Sequence, residues 1–335
     1  MAATKKVTIQ DIAESANVSI STVSRVLTGN APVAEKKREA VLAAIEALNY
    51  RPNVFARGLA SGRSMAIGVL TQNIGSPFYE TIMSGILQGL DGSGYSLIFT
   101  DGLFQPEREK EALQMLLDRR VDGLIVLGGR SPEDLLCEVM EIVPLIIIGR
   151  NIPCLSEYCM HMDQFQGAHK ATSYLINLGH RQIAHITGIL LQQDAIDRRE
   201  GYLKALQDAG IERDPELIIE GDFLEQSGVL AIEILLTRSR TFSAIFAAND
   251  QMASGARLAL SRHGIRVPED VSIIGFDDQP HSAYMVPPLT TVRQPATEMG
   301  EAGARAILNL LQGVSFALPE LPVELVIRES VARYR

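Results

Sequence analysis

Residues 8–27 read TIQDIAESANVSISTVSRVL, and the stretch divides into two short helical patterns with a break between them. Thr8 stands three residues ahead of Asp11, a near capping box, and Ile9, Ile12 and Ala13 give one apolar stripe. Asn17 and Val18 interrupt the pattern before Ser19. Ile20, Val23, Val26 and Leu27 then recur at nearly three-residue spacing until Gly29-Asn30 ends the run. A third helix is expected over AEKKREAVLAAIEALN, residues 34–49, with Val41, Leu42, Ile45 and Leu48 on one face and a stop at Asn49, ahead of Pro52. Three short helices with a tight joint between the first two make a helix-turn-helix, whose second helix fits the major groove of duplex DNA. Its first turn must then carry exposed groups that read or grip DNA. SISTVSR supplies small hydroxyls, which bond phosphates or bases, and Arg25, which can hold guanine bidentately, on the side away from Val23 and Val26.

The charge distribution agrees with that reading. The 335-residue chain carries 31 Lys+Arg against 40 Asp+Glu, a net charge of -9, which argues against a polyanion partner only if the charge is evenly spread. Residues 1–63 hold nine basic side chains (Lys5, Lys6, Arg25, Lys36, Lys37, Arg38, Arg51, Arg57, Arg63) and five acidic ones (Asp11, Glu14, Glu35, Glu39, Glu46), so that segment is +4 and the remainder -13. Fields act locally, over about 10 Å at moderate salt, and a basic head on an acidic body places a polyanion at one end. A merely solvated face explains +4 by itself more simply.

At this length about two or three domains are expected, and 46% hydrophobic with 21% charged residues is an ordinary globular composition. No run approaches the roughly 18–20 apolar residues of a membrane span, and the opening MAATKKVTIQDIAE lacks the apolar core of a signal peptide, so a cytoplasmic protein is expected. Cys137, Cys154 and Cys159 have neither metal-ligand nor redox-motif spacing and read as buried or idle thiols. No cofactor or metal is expected.

From about residue 64 the chain alternates apolar strands with helices. Strand candidates are 65–71, 95–101, 122–128, 144–149, 182–188, 217–222, 243–250, 271–278 and 323–329; the helical segments between them include those starting at Pro77, Pro106, Gln166, Arg198 and Asp250. Near-continuous Ile/Val/Leu strands joined by helical crossovers mean parallel sheets covered on both faces. Polar residues gather just past the strand ends, at Gln72-Asn73, Asp101, Arg150-Asn151, Asn249-Asp250 and Asp277-Asp278, along the edge where open α/β sheets bind ligands.

TIQDIAESANVSISTVSRVL, NYRPNVFARGLASGRS, FAANDQMASGA and SIIGFDDQPHSAYMVPPLTTVRQP occur in this order and together resemble the LacI/GalR family of bacterial transcription regulators over essentially the full chain. The resemblance implies an all-α helix-turn-helix headpiece (1–50), a hinge helix and linker (51–63) that forms on operator DNA, and a core (64–335) that dimerises and binds a small effector. That core is expected to comprise two doubly wound parallel-sheet subdomains of the periplasmic-binding-protein type, roughly 64–162 with 279–295, and 163–278 with 296–335. Ser19, Ile20 and Ser21 then fall at the start of the reading helix and Arg25 on the arginine of the TVSR motif. Thr8, Thr22, Ser24 and Asn30 take phosphate-contact or capping positions, and Lys36 and Arg38 reach phosphates. Ala34 departs from the family's usual hydroxyl cap on the third helix, a loss of about 1 kcal/mol. On the residues alone, Ser19 as a plain N-cap and Arg25 as a surface charge account for each equally. NVFARGLAS, residues 53–61, is too short to be a stable helix in isolation, and Gly58 weakens it by about 1 kcal/mol against alanine. By resemblance Asn53 and Ala56 contact the minor groove and Leu59 wedges between base pairs.

For the effector, the resemblance assigns Arg198, Asn249 and Asp277 to ligand hydroxyls and Phe78 and Phe223 to its apolar face, with Arg150 beside them admitting a charged or larger glycoside. Carboxylate, amide and guanidinium suit adjacent sugar hydroxyls, and an aromatic face packs on pyranose C–H groups. A salt bridge or turn cap explains Asp277 and Arg198 as well on the residues alone. Gly149 stands where many sugar-responsive members carry Asp. Two aromatics also suit a purine corepressor, although Gln192 and Asp194 replace the basic and hydroxyl groups that a purine-binding member sets on its base. The expectation is a repressor binding a pseudo-palindromic operator as a homodimer under control of a sugar. A sugar-binding transport receptor shares the core but not the head. An enzyme is not expected, since GxSxG, Walker, HExxH and GxGxxG signatures are absent and the six histidines are scattered.

Overall fold

The computed structural model describes residues 7–28, 31–50, 63–238 and 241–334. Two compact units divide the chain, the first comprising the amino-terminal residues.

The first unit contains α1 (Ile9–Ser15), α2 (Ile20–Thr28) and α3 (Glu35–Ala47). Thr8 caps α1 in a reciprocal box, with its backbone N–H donating to Asp11 Oδ2 at 2.7 Å and Asp11 N–H donating to Thr8 Oγ1 at 3.4 Å. Asn17, at φ +51°, turns the chain out of α1, which is why the apolar stripe breaks there. Ile12, Ala13, Val23, Val41 and Ala44 form the buried centre, with Val26, Leu27, Ile45 and Leu48 packed around it. Leu42 does not belong to it. The inward face of α3 follows positions 41, 44, 45 and 48, and Leu42, one residue off that stripe, is 48% exposed. Ala34 makes no side-chain cap, as its sequence requires.

The second unit carries two sheets. The first, in the order β2-β1-β3-β4-β5, is built from β1 (Ala66–Thr71), β2 (Ser96–Asp101), β3 (Gly123–Leu127), β4 (Leu145–Ile148) and β5 (Cys159–Met160). The second, in the order β11-β10-β9-β8-β6-β7, takes β6 (Ile183–Thr187), β7 (Ile218–Glu220), β8 (Ala244–Ala247), β9 (Ser272–Asp277), β10 (Thr290–Arg293) and β11 (Glu324–Val326). β1, β3, β4 and β5 pair in parallel, as do β6 to β10, and β11 closes its edge antiparallel to β10. The covering helices are α4 (Pro77–Gly89), α5 (Pro106–Asp118), α6 (Glu133–Ile142), α7 (Gln164–Asn177), α8 (Gln193–Asp208), α9 (Glu225–Thr237), α10 (Asp250–Arg262) and α11 (Ala296–Gln312). β3 and β4 are buried at every residue, as strands covered on both faces must be.

The expected division of the core is corrected at its crossings. Residues 279–295 do not go with the first sheet, because β10 pairs with β9 in the second. Residues 296–312 leave the second sheet, since α11 places Met299, Ala304 and Ile307 in the core of the first, against Ile82 and Ile86 of α4. Glycines let these two helices touch along their backbones: a Cβ on Gly85 would lie 2.2 Å from Thr297 O, and one on Gly300 2.1 Å from Ile82 O. The chain therefore crosses between subdomains after β5, after β10 and after α11. The cysteine expectation also changes. Cys137 of α6 and Cys154 are joined in a disulfide, because the turn after β4 brings residues without any motif spacing together, and only Cys159 remains a buried free thiol. Among the described residues no helix is long and apolar enough to cross a membrane.

Candidate functional site

The start of α2 is the chemically distinctive face of the first unit. Ser19 Oγ accepts from Thr22 N–H at 3.2 Å and lies 2.8 Å from Ser21 Oγ and 2.9 Å from Thr22 Oγ1, so its hydroxyl serves as the helix cap. Thr8 is likewise a capping residue. Ile20 is 47% exposed in spite of its apolar side chain, and Ser21 and Arg25 are exposed beside it. Lys36 and Arg38 are exposed at the start of α3, Arg38 lying 3.5 Å from Glu35, a surface pair worth little in water. Asn30, Asn53, Ala56 and Leu59 lie outside the described residues.

In the second unit a cavity of about 240 Å³ opens between the carboxyl edges of the two sheets, slightly smaller than a typical drug-sized pocket. Phe78, Arg198, Phe223, Asn249 and Asp277 all line it, which gathers five sequence-assigned residues from α4, α8, β9, the cap of α10 and the loop after β7. Arg150 is not among its lining residues. Its guanidinium turns to the carbonyl of Ser131, donating at 3.0 Å, and burial lowers its pKa.

Arg198 stands in the cavity wall with its Nε and Nη1 held by the protein. Its guanidinium lies 3.9 Å from the centroid of the Phe276 ring, Nε donates to Gln164 Oε1 at 2.9 Å, Nη1 donates to the carbonyl of Ala248, and Nη1 stands 3.7 Å from Asp277 Oδ1. A circuit of buried side chains closes behind it. Gln164 Nε2 donates to Gln294 Oε1 at 3.0 Å, and Gln294 Nε2 donates to Asp277 Oδ1 at 2.7 Å. Gln164 follows the first crossing between subdomains and Gln294 sits at the second, so the arginine and aspartate on the cavity are wired directly to the segments that join the two halves. Neither glutamine is legible in the sequence: Gln294 is positioned by β10, which does not read as a strand, and Gln164 opens α7 just ahead of the helical pattern that begins at Gln166.

The carboxylates are strained electrostatically. Asp277, at φ +108°, is pushed up to about 6, chiefly by burial, while Arg198 and Gln294 pull it back. Asp250, wholly buried, is pushed up to about 7 by burial and by Asp277, although Gln279 N–H, Ser282 Oγ and Thr291 Oγ1 donate to it at 2.9, 2.6 and 2.6 Å. Asn249 caps α10 through Oδ1, accepting from Met252 N–H at 2.9 Å, and its Nδ2 donates to the carbonyl of Phe223 at 2.9 Å. That clamp holds Phe223 at φ +69° with its ring over Gly188, where a Cβ would lie 1.9 Å from Cζ. Tyr79 and Phe104 add aromatic wall not foreseen in the sequence, and Gln72, Gln192 and Asp194, noted in it only by position, add polar groups. Among the described residues no cluster of His, Cys, Asp and Glu could hold a metal.

Residues 8–53 match the bacterial regulatory proteins, lacI family, and residues 172–331 match the periplasmic binding protein-like domain. The chain is 35% identical over 331 residues to the HTH-type transcriptional repressor PurR of Haemophilus influenzae, spanning 97% of this chain and 98% of that one. The ribose operon repressor of the same organism is 35% identical over 326 residues, again 97% and 98% of the two chains. Among solved structures, the lac repressor dimer bound to operator and the anti-inducer ONPF superimposes with a TM-score of 0.88 at 33% identity, covering 98% of this chain and all of that one. The two family matches fall on the helix-turn-helix and on the two-sheet core, and the chain belongs to the lacI family of bacterial regulatory proteins, as a transcriptional repressor under small-molecule control rather than an enzyme.

Proposed function

We propose that the protein is a cytoplasmic repressor that binds a pseudo-palindromic operator as a homodimer and is controlled by a sugar or glycoside in the core cavity. On this reading Ile20, Ser21 and Arg25 read base edges, with Thr22, Ser24, Asn30, Lys36 and Arg38 on phosphates, and Ser19 and Thr8 fixing the helices that carry them. Two heads on one duplex need the symmetry of a dimer, and the lac repressor is a dimer on its operator. Asn53, Ala56 and Leu59 are assigned to the minor groove as a hinge over 51–63.

The observation that carries the effector assignment is the cavity itself. Arg198, Asn249 and Asp277 line a space that Phe78 and Phe223 also wall, hydrogen-bonding groups together with ring faces, which is the combination a pyranose needs. The similarity to a ribose operon repressor points the same way. An effector shifts the regulator only through unequal affinity for its two states, and the Arg198–Gln164–Gln294–Asp277 circuit gives the ligand a grip on the crossings. A purine corepressor is the second reading, favoured by the paired aromatics and the similarity to PurR. A thermal-shift screen of monosaccharides, disaccharides and purines separates the two, because a ligand that binds only the native state raises the melting point. Stabilisation by a sugar supports the first reading, and by purines alone the second.

A further inference from the structure

Asp194 is the second residue of α8, half-buried on the cavity wall, and no hydrogen bond reaches its carboxylate among the described residues. Two buried amides on the same wall are also unsatisfied: Gln192 Nε2, two residues away, and Gln72 Nε2, whose Oε1 already accepts from Phe104 N–H at 3.0 Å. A buried donor left unpaired costs about 1–3 kcal/mol, so two such amides beside a carboxylate that no protein group bonds call for a ligand that supplies both donors and acceptors. A hydroxyl does both at one atom.

The charges decide what kind of ligand this is. Arg198 is the only cation lining the cavity among the described residues, and its charge is already answered by Asp277, with Nε and Nη1 bonded to Gln164 and Ala248. Asp194, Asp222 and Asp277 supply carboxylates on the same wall. An anionic ligand would meet three carboxylates in the lining against one guanidinium, which already pairs with Asp277.

We infer that Asp194 is the specificity-determining residue of the cavity, its carboxylate accepting hydroxyl donors from an uncharged, polyhydroxylated effector and turning away phosphorylated or carboxylated ones. This rests on the reading of the cavity as an effector site. The groups facing Asp194 are Arg198 and Asp197 on its own helix, Arg150 and His161 from the ends of β4 and β5, Asp277 from β9, and the Tyr79 phenol of α4. Burial raises the pKa of Asp194 more than Arg198 lowers it. Hydroxyls donated by the effector favour the ionised form, so binding releases a proton and affinity climbs as pH rises through the titration of Asp194. Asp277 keeps its own donors, Gln279 Nε2 and Gln294 Nε2, and adds a pH dependence that is coupled to Asp194 by like charge and remains in Asp194→Asn.

The test uses the full-length protein and matched probes: glucose and glucose 6-phosphate, ribose and ribose 5-phosphate, fructose and fructose 6-phosphate, and glucose and gluconate. Titration calorimetry at several pH values follows the pairs that raise the melting point. The expected result is binding of an uncharged member at least tenfold tighter than its charged partner. Asp194→Asn should melt as the parent without ligand, lose about 10- to 100-fold in affinity for the uncharged probe, and bind it with a flatter pH profile. A charged probe that binds as tightly as its uncharged partner overturns the role of Asp194 and leaves the cavity an effector site. An Asp194→Asn protein with unchanged affinity and pH profile does the same. Binding of purines alone removes the sugar reading and this role with it.

Discussion

Replacing Gly188 by alanine tests whether the Phe223 ring is a built wall of the effector cavity. The added Cβ would lie 1.9 Å from Phe223 Cζ and 2.3 and 2.5 Å from its two Cε atoms. Non-bonded carbons rest at about 3.5–4.0 Å, so the ring must retreat by roughly 1.5–2 Å. It cannot retreat by sliding along the backbone, because Phe223 is held at φ +69° and its carbonyl accepts from Asn249 Nδ2. The ring must instead swing into a cavity of about 240 Å³. Overpacking of this kind costs about 1–3 kcal/mol, and a half-buried ring with space beside it belongs at the low end. Loss of fold stability is therefore modest and loss of effector affinity is the main effect, tenfold or more, or about 1.4 kcal/mol. Gly75→Ala is the control, since its methyl meets only Asn73 Oδ1, at 3.4 Å. Calorimetric titration of the effector found by screening, with thermal melts alongside, reads both quantities. Affinity within twofold of the parent in Gly188→Ala would refute the assignment of Phe223 to the cavity wall.

Two further substitutions probe the buried carboxylates. Asp250 is pushed up to about 7 from an ordinary 3.8, so the folded protein keeps a proton that the unfolded chain gives up as pH rises between those values. Stability should accordingly decline from about pH 4 to pH 7; urea midpoints across that range should fall more steeply in the parent than in Asp250→Asn, and parallel slopes would contradict it. Glu109, missed in the sequence, is wholly buried in α5 and accepts from the backbone N–H groups of Arg130 and Ser131 and from Ser131 Oγ. Glu109→Gln turns one acceptor into a donor facing donors and should lower the urea-derived stability by about 2–3 kcal/mol; a change under about 0.5 kcal/mol would show that the loop does not depend on it.

The parts of the fold that follow one rule at a time were legible from the residues. Buried strands such as β3 and β4 are unbroken apolar runs, and Thr8 with Asp11 is a local signal for a local bond. Errors came where a residue's place depends on distant chain. Leu42 looks like core by spacing but the inward stripe of α3 passes through Val41 and Ala44 instead. β10 is four residues, Thr290–Arg293, with two threonines, and a pattern that omits it places the crossings in the wrong subdomains. The family pattern supplied Arg198, Asn249 and Asp277, yet not what holds them. Gln164 and Gln294 are separated by 130 positions and meet only in the folded chain. Arg150 has the right position past a strand end, but its side chain is captured by a neighbouring carbonyl, which no strand-end rule foresees.

The most direct test of the account is gel retardation of a duplex that the full-length protein selects from a random-sequence pool, titrated with salt and with the stabilising sugar. The account predicts retardation that weakens steeply with salt, is lost in Arg25→Ala, and shifts at least tenfold in midpoint when the sugar is present. Failure to enrich any duplex, or retardation indifferent to both Arg25→Ala and the sugar, would contradict it.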